Sequence, residues 1–276
     1  MTQSPEQTTD KSQQFLDNHE ELAPGQGFRF ACHPGVPCFG ACCSALNLML
    51  TPYDALRLRR ALGQSTNMGT SMSSRQFVRE YADMTTMPGI GLPLLQLHMQ
   101  DTSAKRCPFS RADFKCAVYE NRPSACRTYP LGRATRPSED DPARIEEQIF
   151  VIREPHCRGF EQEAQWNTAS WMDDQGLAAY NASNDRFMAL AASLRAQAES
   201  TGQRLGGQQT GMAGLALYQP DDFQRFLISA RALERLDMDD ERRAAVMSDE
   251  EACLDFGFDW LELTLLGKTD RIQPKA

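Results

Sequence analysis

The chain has 276 residues, of which 41% are hydrophobic and 24% are charged, so it is expected to form one large domain or a main domain with an appendage. A mean hydropathy of −0.51 and the lack of a long apolar run argue against a membrane-spanning helix. The net charge of −8 argues against nucleic acid as the main partner, because phosphate binding needs a basic surface. The polar N-terminal residues contain no stretch typical of a secretory signal, so we expect a cytoplasmic protein without a membrane partner.

The first segments in chain order are a predicted tail and a cysteine-rich loop. Residues 1–24 offer little apolar anchorage before a Pro-Gly turn, which predicts a flexible tail. Four cysteines then fall within twelve residues, from Cys32 to Cys43, where Gly and Pro are too frequent for one regular element. Such a backbone can wrap around a metal, because Gly tolerates positive φ and Pro stiffens the corners.

The middle of the chain predicts short helices and strands. Thr51 as N-cap, Pro52 at the first helical position and Asp54 in a capping box predict a helix that ends at Gly63. Further short elements are predicted as a helix over 74–83, a strand over 94–99, a helical turn over 122–129 and a strand over 149–152.

The C-terminal half is predicted to be helical. A helical pattern runs from about 161 to 199 with a break near Gly176, and two amphipathic helices are predicted over 222–236 and 248–266, the second with a capping box from Ser248 to Glu251. Five glycines within residues 201–214 predict a linker. The expected fold class is mainly α, with an irregular cysteine-rich metal-binding core, few short strands and a C-terminal helical extension. The expected organisation is a tail over 1–24, a cysteine-cluster domain over 25–200, a Gly-rich linker over 201–214 and the extension over 215–276.

Nine cysteines carry the functional prediction. Cys253 lies in a helical pattern of apolar residues and is predicted to be a small core residue. The other eight adjoin Gly, Pro or charged residues, and in a reducing compartment this pattern is more typical of metal binding than of disulfides. Thiolates are soft ligands that suit zinc and iron–sulfur clusters. The predicted ligands are Cys32, Cys38, Cys42, Cys43, Cys107, Cys116, Cys126 and Cys157.

The charge distribution agrees with this prediction. Eight basic and two acidic residues lie between Lys105 and Arg136, although the whole chain is acidic. Nearby cations stabilise deprotonated sulfurs. Arg122 and Arg127 bracket Cys126 and are therefore the expected electrostatic partners of the cofactor.

The cysteine spacing leaves the number of centres open. The chain has neither the C-x2-C pairs of zinc ribbons nor a ferredoxin-type run. Adjacent side chains cannot easily reach one metal from an extended backbone, so Cys42 and Cys43 are expected to bind different iron atoms or different metals. Eight thiolates would complete two four-ligand centres, or one centre with spare ligands.

Three blocks of the sequence resemble a known family. They are Cys38-Phe-Gly-Ala-Cys42-Cys43, then Cys107-Pro-Phe, then Tyr119-x2-Arg122-Pro123-x2-Cys126-Arg127-x-Tyr129-Pro130, with Cys32 before and Cys157 after them. The pattern is similar to the YkgJ-type cysteine-cluster proteins, which are zinc- or iron-chelating domains related to flagellin lysine N-methylases. The resemblance covers roughly residues 28–172 and implies that all eight cysteines are ligands. The first group departs from the usual C-x2-C-x2-CC, because its spacing is wider.

The favoured hypothesis is a cytosolic protein that holds an iron–sulfur cluster, in one or two centres. The resemblance to lysine N-methylases implies a protein-modifying enzyme with a protein substrate as a further hypothesis. The alternatives are a zinc-stabilised module that binds a protein partner and an iron-handling protein.

Overall fold

The computed structural model describes residues 19–64, 72–137, 145–268 and 270–275. Within these ranges the fold is mainly α, as predicted, with nine α-helices and ten short strands. The helices are α1 (Pro52–Gln64), α2 (Ser74–Tyr81), α3 (Ser124–Thr128), α4 (Thr168–Asp174), α5 (Ala178–Thr201), α6 (Gly207–Tyr218), α7 (Pro220–Ser229), α8 (Asp240–Ser248) and α9 (Glu250–Leu266). The strands are β1 (Glu20–Glu21), β2 (Gly27–Arg29), β3 (Met49–Leu50), β4 (Ala82–Thr86), β5 (Pro93–Leu97), β6 (Leu131–Pro137), β7 (Ile145–Val151), β8 (Gln165–Asn167), β9 (Leu236–Asp237) and β10 (Gln273–Pro274).

The chain forms two compact units that alternate along the sequence. The cysteine-bearing unit contains the residues up to Leu46, Met99–Tyr119 and Ser124–Ala179. The helical unit contains Asn47–His98, Glu120–Pro123 and Tyr180–Ala276.

The cysteine-bearing unit is built on two small antiparallel sheets. Strand β7 lies between β1 and β6 in one sheet, and β2 pairs with β8 in the other. Trp171 of α4 is buried at the centre, and its indole N–H donates to the Thr128 carbonyl of α3 over 3.0 Å. The seven buried residues of this core are Leu22, Phe28, Phe30, Leu131, Ile149, Val151 and Trp171. Tyr129 and Cys157 pack against this core, so the core positions one of the predicted ligands, Cys157.

The helical unit contains an antiparallel sheet in which β5 lies between β3 and β4, and a separate two-stranded sheet in which β9 pairs with β10. Its interior is rich in phenylalanine, with Phe77, Phe187, Phe223 and Phe256 almost fully buried. Cys253 of α9 is also fully buried, as predicted for a core residue. Burial, followed by nearby carboxylates, raises the pKa of this thiol to about 12.

The predicted capping box at the start of α1 is confirmed. The Thr51 amide donates to the Asp54 carboxylate over 3.0 Å, and the Asp54 amide donates to the Thr51 hydroxyl over 3.4 Å. The prediction for α9 was wrong by one residue, because Asp249 is the N-cap and accepts from the Glu251 amide, while Ser248 ends α8. A carboxylate suits this position because it also interacts favourably with the helix dipole.

Two segments are more regular than their composition predicts. In the expected tail, residues 1–18 lie outside the described residues, whereas Glu20 and Glu21 form β1 and Leu22 is buried. In the expected linker, α6 begins at Gly207. Glycine lowers helix propensity by about 1 kcal/mol per residue, but the buried residues at the C-terminal end of α6 outweigh that cost. The domain boundaries themselves stay predictions.

None of the helices in the described ranges combines the length and the apolar character that a membrane crossing requires.

Candidate metal centre

All eight predicted ligand cysteines lie in the cysteine-bearing unit, and Cys253 alone lies in the helical unit. The nine cysteines are all within the described residues, and none of them forms a disulfide bond. Among the eight, Cys32, Cys42 and Cys126 are exposed, and the other five are half-buried. Thiols that share one unit and remain partly accessible are available to a metal.

The first cysteine loop turns at Gly40. This glycine has φ of 77° and precedes a 3₁₀ turn over Ala41–Cys43. A Cβ atom at Gly40 would lie 2.7 Å from the Cβ of Phe114, which belongs to the loop between Cys107 and Cys116. Gly40 is therefore required both for the left-handed backbone and for the close approach of the two cysteine loops.

Backbone hydrogen bonds join these loops. The Cys107 amide donates to the Cys43 carbonyl over 2.8 Å, and Ser44 pairs with Arg106 in an antiparallel bridge. A second antiparallel bridge, between Ser110 and Cys116, closes the loop that follows Cys107. These contacts bring the chain segments of Cys43, Cys107 and Cys116 together although the residues are far apart in sequence.

We call Cys42, Cys43, Cys107 and Cys116 the thiol quartet, because Cys42 adjoins Cys43 and both Cys42 and Cys116 lie near Cys107. A hydrogen bond between the thiols of Cys42 and Cys43 is the main cause that raises the pKa of Cys42 well above its usual range. Burial is the main cause that raises the pKa of Cys107, and the nearby Cys116 and Cys42 sulfurs raise it further. When several thiols lie close together, the negative charge of one thiolate raises the pKa of the others. A cation bound between them lowers these pKa values again.

The contact between Cys42 and Cys43 changes one expectation. Adjacent side chains diverge only where the backbone is extended. The backbone at these residues is a 3₁₀ turn, and the two thiols contact each other. Cys42 and Cys43 can therefore bind the same metal atom.

Backbone amides face the sulfur of Cys107. The N–H groups of Phe109 and Ser110 lower the pKa of this thiol, although burial outweighs them. Hydrogen bonds from backbone N–H groups stabilise a sulfur in its charged form. The Cys107-Pro-Phe-Ser turn is thus suited to a thiolate.

A second group forms around Cys38 and Cys157. The Arg158 amide donates to Cys38 Sγ over 3.1 Å, which places Cys38 beside the residue that follows Cys157. Cys157 in turn lies next to the Tyr129 hydroxyl, where burial raises the pKa of the phenol and the neighbouring thiol raises it further. Sequence reasoning missed Arg158, because its contribution comes from the backbone and leaves no trace in residue type.

The remaining predicted ligands occupy separate elements of the same unit. Cys126 lies on α3, within the segment that resembles the family most specifically, and Cys32 follows the buried Phe30 by two residues. Ala31, which precedes Cys32, donates its amide to the Gly159 carbonyl over 3.1 Å. Residues Ala31 to Cys38 therefore lie alongside the segment that carries Cys157.

The two predicted arginines are both buried, at 9% exposure for Arg122 and 8% for Arg127. The Arg127 guanidinium donates to the Gln175 carbonyl at the C-terminal end of α4, where a cation also complements the helix dipole. Arg122 belongs to the short segment Glu120–Pro123 of the helical unit. Their electrostatic role toward the thiolates stays a prediction.

The donor set fits a thiophilic metal by its chemistry, because half-buried thiols, amide donors and basic loops occur together. Across the described ranges, however, the side chains of His, Cys, Asp and Glu form no group of three or more that could hold a metal ion as they stand. Metal binding therefore requires cysteine side chains to rotate toward a common point.

The fold and the site define a mainly α protein whose cysteine-bearing unit groups soft donors for a metal. A family model matches residues 31–168, half of the chain, and its description reads "CxxCxxCC: Putative zinc- or iron-chelating domain". The chain belongs to this family, and the match covers all eight predicted ligands. No match to the chain was found among the curated proteins or among the solved structures.

Proposed function

We propose that this protein binds a metal centre through the thiol quartet, and that the centre is an iron–sulfur cluster. The observation that supports the proposal is the placement of Cys42 beside Cys43 and of Cys107 near both Cys42 and Cys116, on two loops about 65 residues apart. Four thiolates are a complete ligand set for an iron–sulfur cluster.

The surrounding residues support deprotonated sulfurs. Each thiol must lose its proton to bind, so metal uptake releases protons to solvent. Amide groups of Phe109 and Ser110 already face the Cys107 sulfur. The loop after Cys107 also carries exposed basic residues, Arg111 and Lys115 among them, which favour an anionic thiolate centre.

The number of metal centres, one or two, depends on whether the second group of cysteines also binds metal. Cys38 lies beside the residue that follows Cys157, and Cys32 and Cys126 would complete a second set of four. Eight thiols exceed the four that one structural zinc ion requires, which favours iron–sulfur chemistry or a second site over a single zinc. Zinc that stabilises a protein-binding module is the alternative outcome.

Anaerobic purification with analysis of iron, zinc and acid-labile sulfide tests the proposal. We expect iron and sulfide in comparable amounts, with visible charge-transfer absorption. Colourless protein that contains stoichiometric zinc would show that the protein is a zinc-stabilised module and holds no cluster. Full-length protein that retains neither iron nor zinc after reconstitution would overturn the proposal of metal binding.

Cysteine variants test the ligand assignment. Cys42→Ala, Cys43→Ala, Cys107→Ala and Cys116→Ala are each expected to lower bound metal per chain, because each opens a coordination position. Cys253→Ala is the matched control, since it removes a buried thiol of the helical unit and leaves the quartet intact. Normal metal content in the quartet variants would contradict the assignment.

A reducing cytoplasm is the location that suits such thiols, and it is part of the proposal. The protein-modifying activity implied by the resemblance to lysine N-methylases stays a prediction, for which the described residues supply no supporting contact.

A further inference from the structure

We call residues 105–119, which carry Cys107 and Cys116, the basic loop. Four residues other than glycine have positive φ in the described part of the chain, and three of them lie in this loop or beside it: Ala45 at 53°, Lys105 at 42° and Phe114 at 65°. The Ala45 amide donates to the Lys105 carbonyl over 2.8 Å, which joins two of these residues. Left-handed backbone is costly for a residue with a Cβ atom, and where it clusters it is often kept for function.

The basic loop exposes two aromatic side chains, one on each side of Cys116 in the sequence. Phe114 is 41% exposed and Tyr119 is 53% exposed. The other large hydrophobic side chains that are exposed in the described residues are three methionines and one isoleucine. Aromatic residues are enriched in protein interfaces, because each buries a large apolar area when a partner covers it.

The ring of Phe114 is held in its exposed position. The guanidinium of Arg106 lies 4.2 Å from the centroid of the ring, and the Cβ of Phe114 lies directly over Gly40. The turn that carries Phe114 is closed by the Arg111 amide, which donates to the Lys115 carbonyl over 2.9 Å. A side chain that is already fixed loses little conformational entropy when a partner binds it, so this ring is pre-organised for an interface.

The charge around the two rings is positive, although the whole chain has a net charge of −8. The basic loop contains four basic residues and one acidic residue, Asp113, which pairs with Lys115 over 3.3 Å. Lys105, Arg106 and Arg111 form no ion pair with any described residue. At physiological salt, charges act over about 8 Å, so a partner at this loop meets the local positive charge more than the acidic remainder of the chain.

We propose that the basic loop is a docking surface for an acidic protein segment that also carries apolar side chains. Its residues are Arg106, Arg111, Phe114, Lys115 and Tyr119. The two rings bury apolar side chains of the partner, and the surrounding cations pair with its carboxylates and fix its orientation. The partner is thereby held beside the segments of Cys107 and Cys116. This surface is independent of which metal the thiol quartet binds.

A labelled peptide tests the proposal with the full chain under reducing conditions. The probe is a soluble peptide in which single leucines are spaced among glutamates and serines, and fluorescence anisotropy measures its binding. Affinity is expected to fall about tenfold when ionic strength rises from about 0.01 M to about 0.15 M, because salt screens the cations. The matched peptide with lysine in place of glutamate is expected not to bind.

Two variants separate the charged part of the surface from the aromatic part. Arg111→Glu is expected to lower affinity for the glutamate peptide about tenfold at low salt and to reduce the salt dependence. Phe114→Ala is expected to lower affinity about tenfold and to keep the salt dependence. The controls lie in the helical unit: Arg204→Glu changes another exposed arginine, and Ile228→Ala removes an isoleucine that is 65% exposed. Both controls are expected to bind the peptide as wild type does, and urea midpoints show whether each variant is folded.

Several results would overturn the docking surface. They are the absence of glutamate-peptide binding by the wild-type chain, equal binding of the lysine peptide, and unchanged affinity in both Arg111→Glu and Phe114→Ala. A single-stranded RNA oligomer is the last competitor. If RNA binds more tightly than the peptide and loses that affinity in Arg111→Glu, the surface recognises nucleic acid and the acidic protein partner is excluded.

Discussion

The backbone amide of Arg158 donates a hydrogen bond to the Sγ atom of Cys38 over 3.1 Å, across a separation of 120 residues. This contact joins the first cysteine loop to the segment of Cys157. A main-chain N–H group thus donates to the Cys38 sulfur, in the way that hydrogen bonds from surrounding residues orient the ligands of metal sites.

The first prediction separates the backbone of Arg158 from its side chain. Cys38→Ala is expected to lower bound metal per chain and to make the Arg158 amide exchange about tenfold faster, because the acceptor is lost. Arg158→Ala keeps the amide and removes an exposed ion pair with Glu161 together with a weaker, solvent-screened attraction to Cys38, so metal affinity is expected to stay within a factor of about two. Metal analysis and hydrogen exchange measure the two effects. A large loss of metal in Arg158→Ala would show that the guanidinium matters instead.

The second prediction concerns the approach of the two cysteine loops. Gly40→Ala is expected to cost about 1–2 kcal/mol for the left-handed backbone and about 1–3 kcal/mol more for the clash with Phe114. Gly25→Ala is the matched control, because Gly25 has φ of 79° with no atom within 4 Å of an added Cβ, so only the first cost applies. Urea unfolding compares the two variants. An equal loss of unfolding free energy in the two variants would mean that the two cysteine loops can move apart at Gly40 without a free-energy cost.

The third prediction concerns a buried carboxylate in the helical unit. Asp259 has a fully buried side chain that pairs with Arg186 over 2.6 Å and also with Arg242. Asp259→Asn is expected to destabilise the unit by about 3–5 kcal/mol, because the arginines lose a buried partner. Asp255→Asn removes an exposed partner of Arg186 on the same helix and is expected to cost less than about 1 kcal/mol. Thermal unfolding ranks the two variants, and similar losses would contradict the argument from burial.

The fourth prediction concerns the stability of the helical unit in acid. Burial by itself would raise the pKa of Asp221, but hydrogen bonds from Ser74 and the charge of Arg59 outweigh it and hold this pKa below its ordinary value of 3.8. The ionised carboxylate therefore stabilises the fold above that value, and the contribution is lost as pH falls through the lower folded-state pKa.

Asp221→Asn tests this linkage. The variant is expected to be about 0.5–1 kcal/mol less stable than wild type at neutral pH, and the difference should shrink below about pH 4. The fully exposed Asp240 provides the control Asp240→Asn, which should leave the acid branch of the stability curve unchanged. Urea midpoints between about pH 2 and pH 7 give the measurement. A difference that grows toward low pH would contradict the assigned sign.

The amino-acid sequence by itself determined the local features and the chemistry. The Thr51–Asp54 capping box was readable because its hydrogen bonds join residues three positions apart. The pattern of Cys107-Pro-Phe and the Cys126 block identified the family, because those signals reside in residue types and short spacings. The burial of Cys253 followed in the same way from apolar periodicity along one helix.

Only the tertiary structure decided which cysteines are neighbours and which segments are ordered. Residues 207–214 form part of α6 because burial of its C-terminal residues outweighs their glycine content, and burial is not visible in local composition. The thiol quartet and the Arg158–Cys38 contact both depend on pairing between distant segments. Such pairing is set by the sum of many weak long-range contacts, and no short stretch of sequence encodes that sum.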